Sequence, residues 1–362
     1  MRIINLIKDV NPIRMGVFSA AISTAPFLYK NHNATSELWF PGSDYNQDFP
    51  SIQTVSLKDT GISNLKELIQ SRNLDPQNDI IVTHSPWSFQ SIWGKYLAAQ
   101  GFKWVFVPHS NLAPWGLSQK WLKKKIYLAL VEKRRLSKAD VIRALSVPEK
   151  EFLARMFPGK EIIVMPTGIN MPPVTEKLQN VTPKIFLFMA RLHFVKNIIP
   201  LVNGWIASSL QNNSGYKLVI AGPDDGELEK LQPLLTQSNN IEYIGPIYKV
   251  VKEVWLKKST FFILPSTSEG FSVSLVEAAA RGLIPIITEG CNFPELLQKK
   301  LAIETGTTAG SIKMALEKCM NLNNSEIQKL GDETQQFMQN HYNNELIAAR
   351  QFELYSRLLK SK

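Results

Sequence analysis

The sequence predicts an α/β protein built from two doubly wound parallel-sheet domains. Three observations carry this expectation. Through residues 1–170, short apolar runs alternate with helical patterns, the signature of strand–helix–strand units. A second series of the same kind starts at Ile185. Between them runs MPPVTEKLQNVTPK, residues 171–184, with three prolines and no periodicity, which reads as a linker. At 362 residues the chain exceeds one ordinary domain and suits two, each able to bury its own core. The expected bounds are 1–172 for the first domain, 173–184 for the linker and 185–343 for the second, with a last helix over 344–362.

Composition excludes several classes. Hydrophobic residues make up 44% and charged residues 20%, which argues against disorder and against a fibrous protein. The longest candidate for an apolar span, residues 18–29, is broken by Ser19, Ser23, Thr24 and Pro26 and falls short of a bilayer span. Met1 to Ile7 meets Lys8 and Asp9 and reads as a first strand, not a leader peptide. Two cysteines, Cys291 and Cys319, without metal-ligand spacing make a reducing cytoplasm the expectation and zinc an unsuitable one. The net charge of +10 is concentrated: from Lys120 to Arg143 nine Lys/Arg face only Glu132 and Asp140.

In chain order, the strands expected in the first domain are residues 3–7, 37–40, 52–56, 80–83, 104–107, 141–145 and 162–165, with helices over 64–71 and 89–99 among the gaps. NPIRMGVFS, residues 11–19, follows the first strand with Gly16 as its single glycine; a lone glycine there is commonly no more than a turn. His84 in IIVTHSPW and His109 in VFVPHSNLAPWGLS both stand just past buried-strand patterns. A lone histidine is usually structural, yet the carboxyl ends of strands are where open α/β sheets bind ligands. Residues 117–138 form a helical stretch in which Trp121, Leu122, Ile126, Leu130 and Val131 alternate with cations. A solvated basic face, contact with an anionic membrane through residues 119–138, and nucleic-acid binding all compete there. The last has no reading motif beside the charge, so nucleic acid is not an expected partner.

In the second domain a strand over 185–189 ends at ARLHFVKN, whose Arg191 and Lys196 read as exposed strand-end cations of little weight in stability. The strand over 217–221 runs into Gly222-Pro-Asp-Asp, and that over 241–244 into Gly245-Pro-Ile247-Tyr248. The adjacent Asp224 and Asp225 do not form an Asp-x-Asp metal motif, so no metal is expected.

The most informative stretch is FFILPSTSEGFSVSLVEAAARGLIPII, residues 261–287. An apolar run stopped by Pro265 reads as a buried strand, Ser266 to Gly270 as a turn, the stretch from Val273 as a helix ended by Gly282, and 283–287 as a strand again. Glu269 sits in the turn and Glu277 in the expected first helical turn. The free N–H groups around Gly270, Phe271, Ser272 and Ser274 could face an anion, and carboxylates there suit sugar or ribose hydroxyls. Equally, Ser274 and Glu277 stand three apart as in a capping box, and a Glu near a helix start often only complements the dipole. The residues alone leave both readings open.

Taken whole, S-E-G-F-x5-E-A-x-A-x-G-x-x-P followed by P-E-L resembles the E-x7-E region of retaining nucleotide-sugar glycosyltransferases of the group-1 family, which have the GT-B fold. The resemblance covers roughly residues 80–300. It implies two Rossmann-like domains facing a central cleft, with the terminal helix packing back onto the first. It implies Glu269 beside the donor sugar and Glu277 on the ribose hydroxyls. Arg191 and Lys196, in an R-L-x3-K-N segment, would neutralise the donor diphosphate. Gly16, Gly222, Ile247, Gly270, Phe271 and Ser272 would line the donor. His109, in P-H-S-x3-P-W where the family has P-H-G, would approach the donor sugar, and His84 and Trp115 would lie on the acceptor side.

The expected function is therefore retaining transfer of a sugar from a nucleoside-diphosphate sugar to a glycan or lipid-linked acceptor, with no cofactor and no metal. The family makes bacterial surface polysaccharide or lipopolysaccharide assembly the expected setting, in the cytoplasm or at the inner face of the plasma membrane. A sugar phosphorylase or nucleotide-sugar epimerase of the same fold is the first alternative. A non-enzymatic basic binding protein is the second.

Overall fold

The computed structural model describes residues 1–10, 15–42, 51–113, 121–172 and 182–361, without the side chains of Met15, Trp121 and Lys123. Two compact units are present: one comprises Met1–Asn170 with Tyr342–Lys362, the other Met171–His341.

The first unit holds a seven-stranded parallel sheet: β1 Arg2–Leu6, β2 Thr35–Pro41, β3 Ile52–Leu57, β4 Asp79–His84, β5 Lys103–Val107, β6 Val141–Ala144 and β7 Ile162–Val164, in the order β3-β2-β1-β4-β5-β6-β7. Both faces are covered, as parallel sheets require. Alternation along β2 sends Trp39 into a core with Ile4, Ile81, Trp104, Phe106 and Ile142, and its neighbours Leu38 and Phe40 into another with Ile7, Phe18 and Ala21.

The second unit holds six parallel strands: β8 Lys184–Met189, β9 Tyr216–Ala221, β10 Ile241–Tyr243, β11 Phe261–Leu264, β12 Ile284–Ile287 and β13 Ile303–Glu304, in the order β10-β9-β8-β11-β12-β13. The two doubly wound sheets expected from sequence are thus present. In each, the strand order reverses once, between β1 and β4 and between β8 and β11. Those reversals open a crevice at the carboxyl ends of the strands, where ligands of such sheets bind.

Helix Asn344–Lys360 belongs to the first unit. It packs against helix Ala25–His32: Thr24 Oγ1 donates to Gln351 Oε1 at 2.7 Å, and His32 stacks on Phe352 with ring centroids 4.2 Å apart. From β6, the buried Arg143 guanidinium donates to the carbonyls of Met165 and Pro166 at 2.8 and 2.7 Å and hydrogen-bonds Tyr355 of that last helix. The cation therefore has local partners where burial would otherwise be costly.

Of the expected helix over 117–138, residues 117–120 lie outside the described residues. The remainder runs Trp121–Tyr127, a π segment Leu128–Glu132 and Lys133–Leu136. Its apolar side chains divide between the core and the surface. Leu128 and Leu136 are buried, and Glu132 is buried too, accepting the Trp87 amide N–H at 3.0 Å. Leu122, Ile126 and Leu130, four residues apart, are 55%, 52% and 59% exposed among the cations.

Candidate functional site

In the second unit, Arg191 and Lys196 follow β8 and Glu269 follows β11, on the two sides of the strand-order reversal. At the end of β8 the chain turns through Ala190 and Arg191 into a single 3-10 turn, Phe194–Lys196. Gly222, just past β9, has φ +152, and a Cβ on it would come within 1.8 Å of the Ala190 carbonyl oxygen. Only glycine lets these two turns lie so close. Gly290, after β12, is under the same constraint, since a Cβ there would meet Thr267 O at 2.6 Å and Ser266 O at 2.8 Å.

Lys196 Nζ reaches both carboxylate oxygens of Glu269 at 2.5 Å, with side-chain exposures of 16% and 6%. Ser266 Oγ donates to Glu269 Oε1 at 2.6 Å, Glu269 N to the Gly290 carbonyl at 2.7 Å, and Asn292 Nδ2 to the Glu269 carbonyl. The carboxylate is thus held by Lys196 and Ser266, and its backbone by Gly290 and Asn292. This corrects the expectation that Lys196 is an exposed, structurally neutral cation: it is largely buried and is the counter-charge of a more deeply buried Glu. Arg191, by contrast, is 44% exposed and pairs with Asp225. Asp224 accepts the N–H groups of Gly226, Glu227 and Leu228 at 3.0–3.1 Å, and those bonds lower its pKa. Both aspartates thus serve as acceptors for protein donors. Among the described residues no group of three His, Cys, Asp or Glu side chains is set to hold a metal ion.

After Gly270 and Phe271, whose ring lies 5.3 Å from that of Phe293, helix Val273–Ala279 begins. Its cap is Ser272, whose Oγ accepts the Leu275 N–H at 3.3 Å. The expected Ser274–Glu277 capping box does not form, because the helix starts one residue before Ser274. Glu277 consequently falls in the second turn, not the first. It pairs instead with Lys252 Nζ at 2.6 Å, both side chains about a quarter exposed. Ile247 is half-buried in the turn between β10 and helix Lys249–Lys258.

In the first unit, the carboxyl ends of β4 and β5 bring His84 and His109 together, with His84 Nδ1 2.9 Å from His109 Nε2. His84 Nε2 lies 3.1 Å from Asn5 Oδ1 on β1. Burial and the nearby positive charge of Arg143 hold both imidazoles neutral: His84 falls well below the usual range and His109 to about 3. Ser85, Trp87, His109 and Ser110 all have positive φ (+69, +76, +51 and +56). Four non-glycine residues in this region at two adjacent strand ends mark a locally strained backbone of the kind concentrated at binding sites. Glu149 is one restraint, accepting Ser110 N at 2.5 Å and Leu145 N at 2.7 Å; burial raises its own pKa.

Gly16 lies in helix Met15–Ile22, exposed, with nothing within 4 Å of a Cβ built on it, so it is not the expected close-approach glycine of a loop. Trp115 lies outside the described residues. Asn5, Glu149, Ser266, Lys252, Asp225 and Asn292 were not anticipated from sequence. Each acts across 23 or more residues of chain or through a local turn that no periodicity announces; only Asn5, polar inside an apolar β-strand run, carries a signal of its own.

Residues 174–337 match the family model described as glycosyl transferases group 1, and residues 45–171 match that described as glycosyltransferase family 4. A curated relative, a phosphatidylinositol N-acetylglucosaminyltransferase subunit of Arabidopsis thaliana, is 21% identical over 262 residues, 69% of this chain. The match spans 57% of that protein's length. Among solved structures, sucrose-phosphate synthase from Thermosynechococcus elongatus superimposes with a TM-score of 0.78 at 16% identity, covering 100% of both chains. A glycosyltransferase from Rickettsia africae gives 0.76 at 18%, covering 100% of this chain and 99% of that one. Anabaena HepE, in complex with UDP and glucose, gives 0.73 at 13%, covering 99% and 100%. At these identities the superpositions establish the GT-B fold.

Proposed function

Since the chain belongs to the group-1 glycosyltransferases, we propose that it moves a sugar, with retained configuration, from a nucleoside-diphosphate sugar to a glycan or lipid-linked saccharide in bacterial surface polysaccharide or lipopolysaccharide assembly. The observation that carries the reading is the pair of cations, Arg191 and Lys196, at the end of β8, each already holding a carboxylate beside the strand-order reversal of the second sheet. An arriving diphosphate would replace those carboxylates as the partner of both cations. Glu269, released from Lys196, would then be free to accept hydroxyls of the transferred sugar.

In the proposed reaction the acceptor hydroxyl oxygen bonds to the anomeric carbon as the bond from that carbon to the diphosphate oxygen breaks. The hydroxyl proton passes to the leaving oxygen. Arg191, Lys196 and the N–H groups after Gly270 stabilise the charge developing on the diphosphate. Glu277 takes the ribose hydroxyls, exchanging them for Lys252. Gly222, Ile247, Phe271 and Ser272 line the donor, and Glu269 and His109 act by positioning the sugar. His84 serves the acceptor side. No cofactor or metal enters the scheme.

A thermal-shift panel of nucleoside diphosphates and nucleotide-sugars tests the reading, because a ligand bound only by the folded state raises its apparent stability. Stabilisation by one nucleotide series, lost in Arg191→Ala, is the expected result. Indifference to every nucleotide would overturn it, and an inverted product by proton NMR would overturn retention. Loss of turnover in excess EDTA, restored by a divalent ion, would overturn the metal-free scheme. Turnover that needs inorganic phosphate, or that proceeds without acceptor, would identify the phosphorylase or the epimerase instead.

We further propose that the lipid-linked acceptor is met at an anionic membrane surface through the helix beginning at Trp121. Its exposed Leu122, Ile126 and Leu130 sit among Lys124, Lys125, Lys133 and Arg134, an arrangement that suits a headgroup–acyl boundary better than bulk water. Among the described residues no helix is long and apolar enough to cross a membrane. Vesicle binding that rises with anionic lipid and falls in Lys124→Gln/Lys125→Gln is expected; binding indifferent to lipid charge would refute the contact.

A further inference from the structure

We infer that His84 is a positioning residue which, backed by Asn5, locks His109 as the Nε2–H tautomer and so presents His109 Nδ1 as a hydrogen-bond acceptor only. The inference deepens the glycosyltransferase reading, on which the identity of the hydroxyl that His109 would accept depends. The tautomer itself does not depend on it.

The argument starts at the buried end of the chain of contacts. Asn5, 6% exposed on β1, directs its amide Nδ2 toward the Glu37 carbonyl at 3.5 Å and its Oδ1 toward His84 Nε2 at 3.1 Å. Turning the amide over would set Oδ1 against the Glu37 carbonyl, acceptor against acceptor. With Oδ1 facing the ring, His84 Nε2 must carry the proton. His84 is 1% exposed, and a second proton on its ring would place an uncompensated cation in the core near Arg143. Its Nδ1 is therefore a lone pair. The atom 2.9 Å away, His109 Nε2, must then be the donor. Because His109 is also kept neutral, its remaining nitrogen, Nδ1, has no proton to give.

The backbone fixes the rest of the geometry. His109 and Ser110 sit at φ +51 and +56, restrained by the bonds from Ser110 to Glu149 and by Asn111 Nδ2, which donates to the Pro108 carbonyl and to Ser85 Oγ at 3.1 Å each. The groups that could alter this balance are Arg143 and Glu149, both buried. A histidine so arranged can orient a sugar hydroxyl by accepting from it, but it cannot act as a general acid. This also explains two histidines at neighbouring strand ends: the second holds the proton of the first in place.

The direct test is a long-range proton–nitrogen correlation spectrum of the nitrogen-15-labelled full chain, whose five histidines are few enough to assign by substitution. His109 is expected as a single Nε2–H tautomer, unchanged from about pH 5 to 8. His84→Leu, which removes the acceptor, should shift the His109 nitrogens to tautomer-averaged positions. His84→Asn, whose Oδ1 occupies the place of the ring Nδ1, should restore the single tautomer. In turnover, His84→Leu should lower kcat while donor affinity holds, and His84→Asn should recover it. A wild-type His109 that is Nδ1–H or doubly protonated, or a His109 spectrum unmoved by His84→Leu, overturns the inference. Should no nucleotide-sugar be turned over, the glycosyltransferase reading fails while the spectra still decide the tautomer.

Discussion

Replacing Lys196 by methionine separates the charge of this side chain from its packing, because methionine keeps most of the aliphatic length. In the fold, Lys196 Nζ lies 2.5 Å from both Glu269 oxygens, and the carboxylate is only 6% exposed. Its other side-chain donor is the neutral Ser266 hydroxyl. Lys196→Met would thus leave a buried anion with one hydrogen bond, and removing one member of a buried pair typically costs about 3–5 kcal/mol. Since Lys196 keeps 16% exposure and water can reach its end of the pair, the lower figure applies, about 3 kcal/mol. For a unit of this size that corresponds to a fall in Tm of roughly 6–12 °C. Adding Glu269→Gln removes the stranded charge and leaves an amide that Ser266 can still bond, so the double variant should recover at least half of the loss. Urea unfolding of the wild type, both single variants and the double variant measures the coupling directly. A Lys196→Met midpoint equal to wild type, or a double variant no more stable than the single, would refute the claim that this pair is a buried structural contact as well as the proposed diphosphate clamp.

Stability should also fall in mild acid through the two histidines. In the unfolded chain they take up protons below about pH 6.5, while in the fold His84 and His109 stay neutral, so the folded state binds fewer protons and loses stability as pH drops from about 6.5 toward His109's value of about 3. The slope is about 1.4 kcal/mol per pH unit for each histidine that stays neutral in the fold; His84→Asn should flatten the urea midpoint between pH 7 and 5, and an unchanged slope would mean that the core admits the charge. Gly222→Ala sets a Cβ 1.8 Å from the Ala190 oxygen and should cost at least about 3 kcal/mol, whereas Gly226→Ala, at φ +100 but with open space around it, should cost roughly 1; equal Tm losses in the two would discount the close approach. Glu277→Gln disturbs a pair about a quarter exposed and should move stability by under about 1 kcal/mol while weakening donor binding, and the reverse pattern would make Glu277 purely structural.

What was legible in the sequence was the material whose signal is local. Phe261–Leu264 stood out because a strand buried on both faces is a continuous apolar run, and Pro265 marks its end. Gly282, at φ +70, closes the following helix as its position suggested. Arg191 and Lys196 follow β8 and Glu269 follows β11, as the local strand patterns indicated, while Glu277 lies inside the helix beyond. The partnerships were not legible, because they join distant parts of the chain. Lys196 reaches Glu269 across 73 residues, and His84 reaches Asn5 across 79. Ser272 in place of Ser274 as the cap is a shift of two residues among three serines, which no pattern of residue types distinguishes. Helices Met15–Ile22 and Ala25–His32 show no clear amphipathic period, and the second owes its packing to Asn344–Lys360, far along the chain.

That last dependence bears on how the protein is made. A ribosome releases residues 1–170 first, but Arg143 waits for Tyr355, and Thr24 for Gln351, until the whole of residues 171–341 has been synthesised. The second unit has every residue it needs to fold before the first can be completed. During that interval the nascent first unit carries an unclosed apolar seam along Ala25–His32 and a buried-to-be guanidinium still in water. Chaperone engagement of stalled nascent chains should therefore peak for chains halted just short of the final helix and fall once it has emerged.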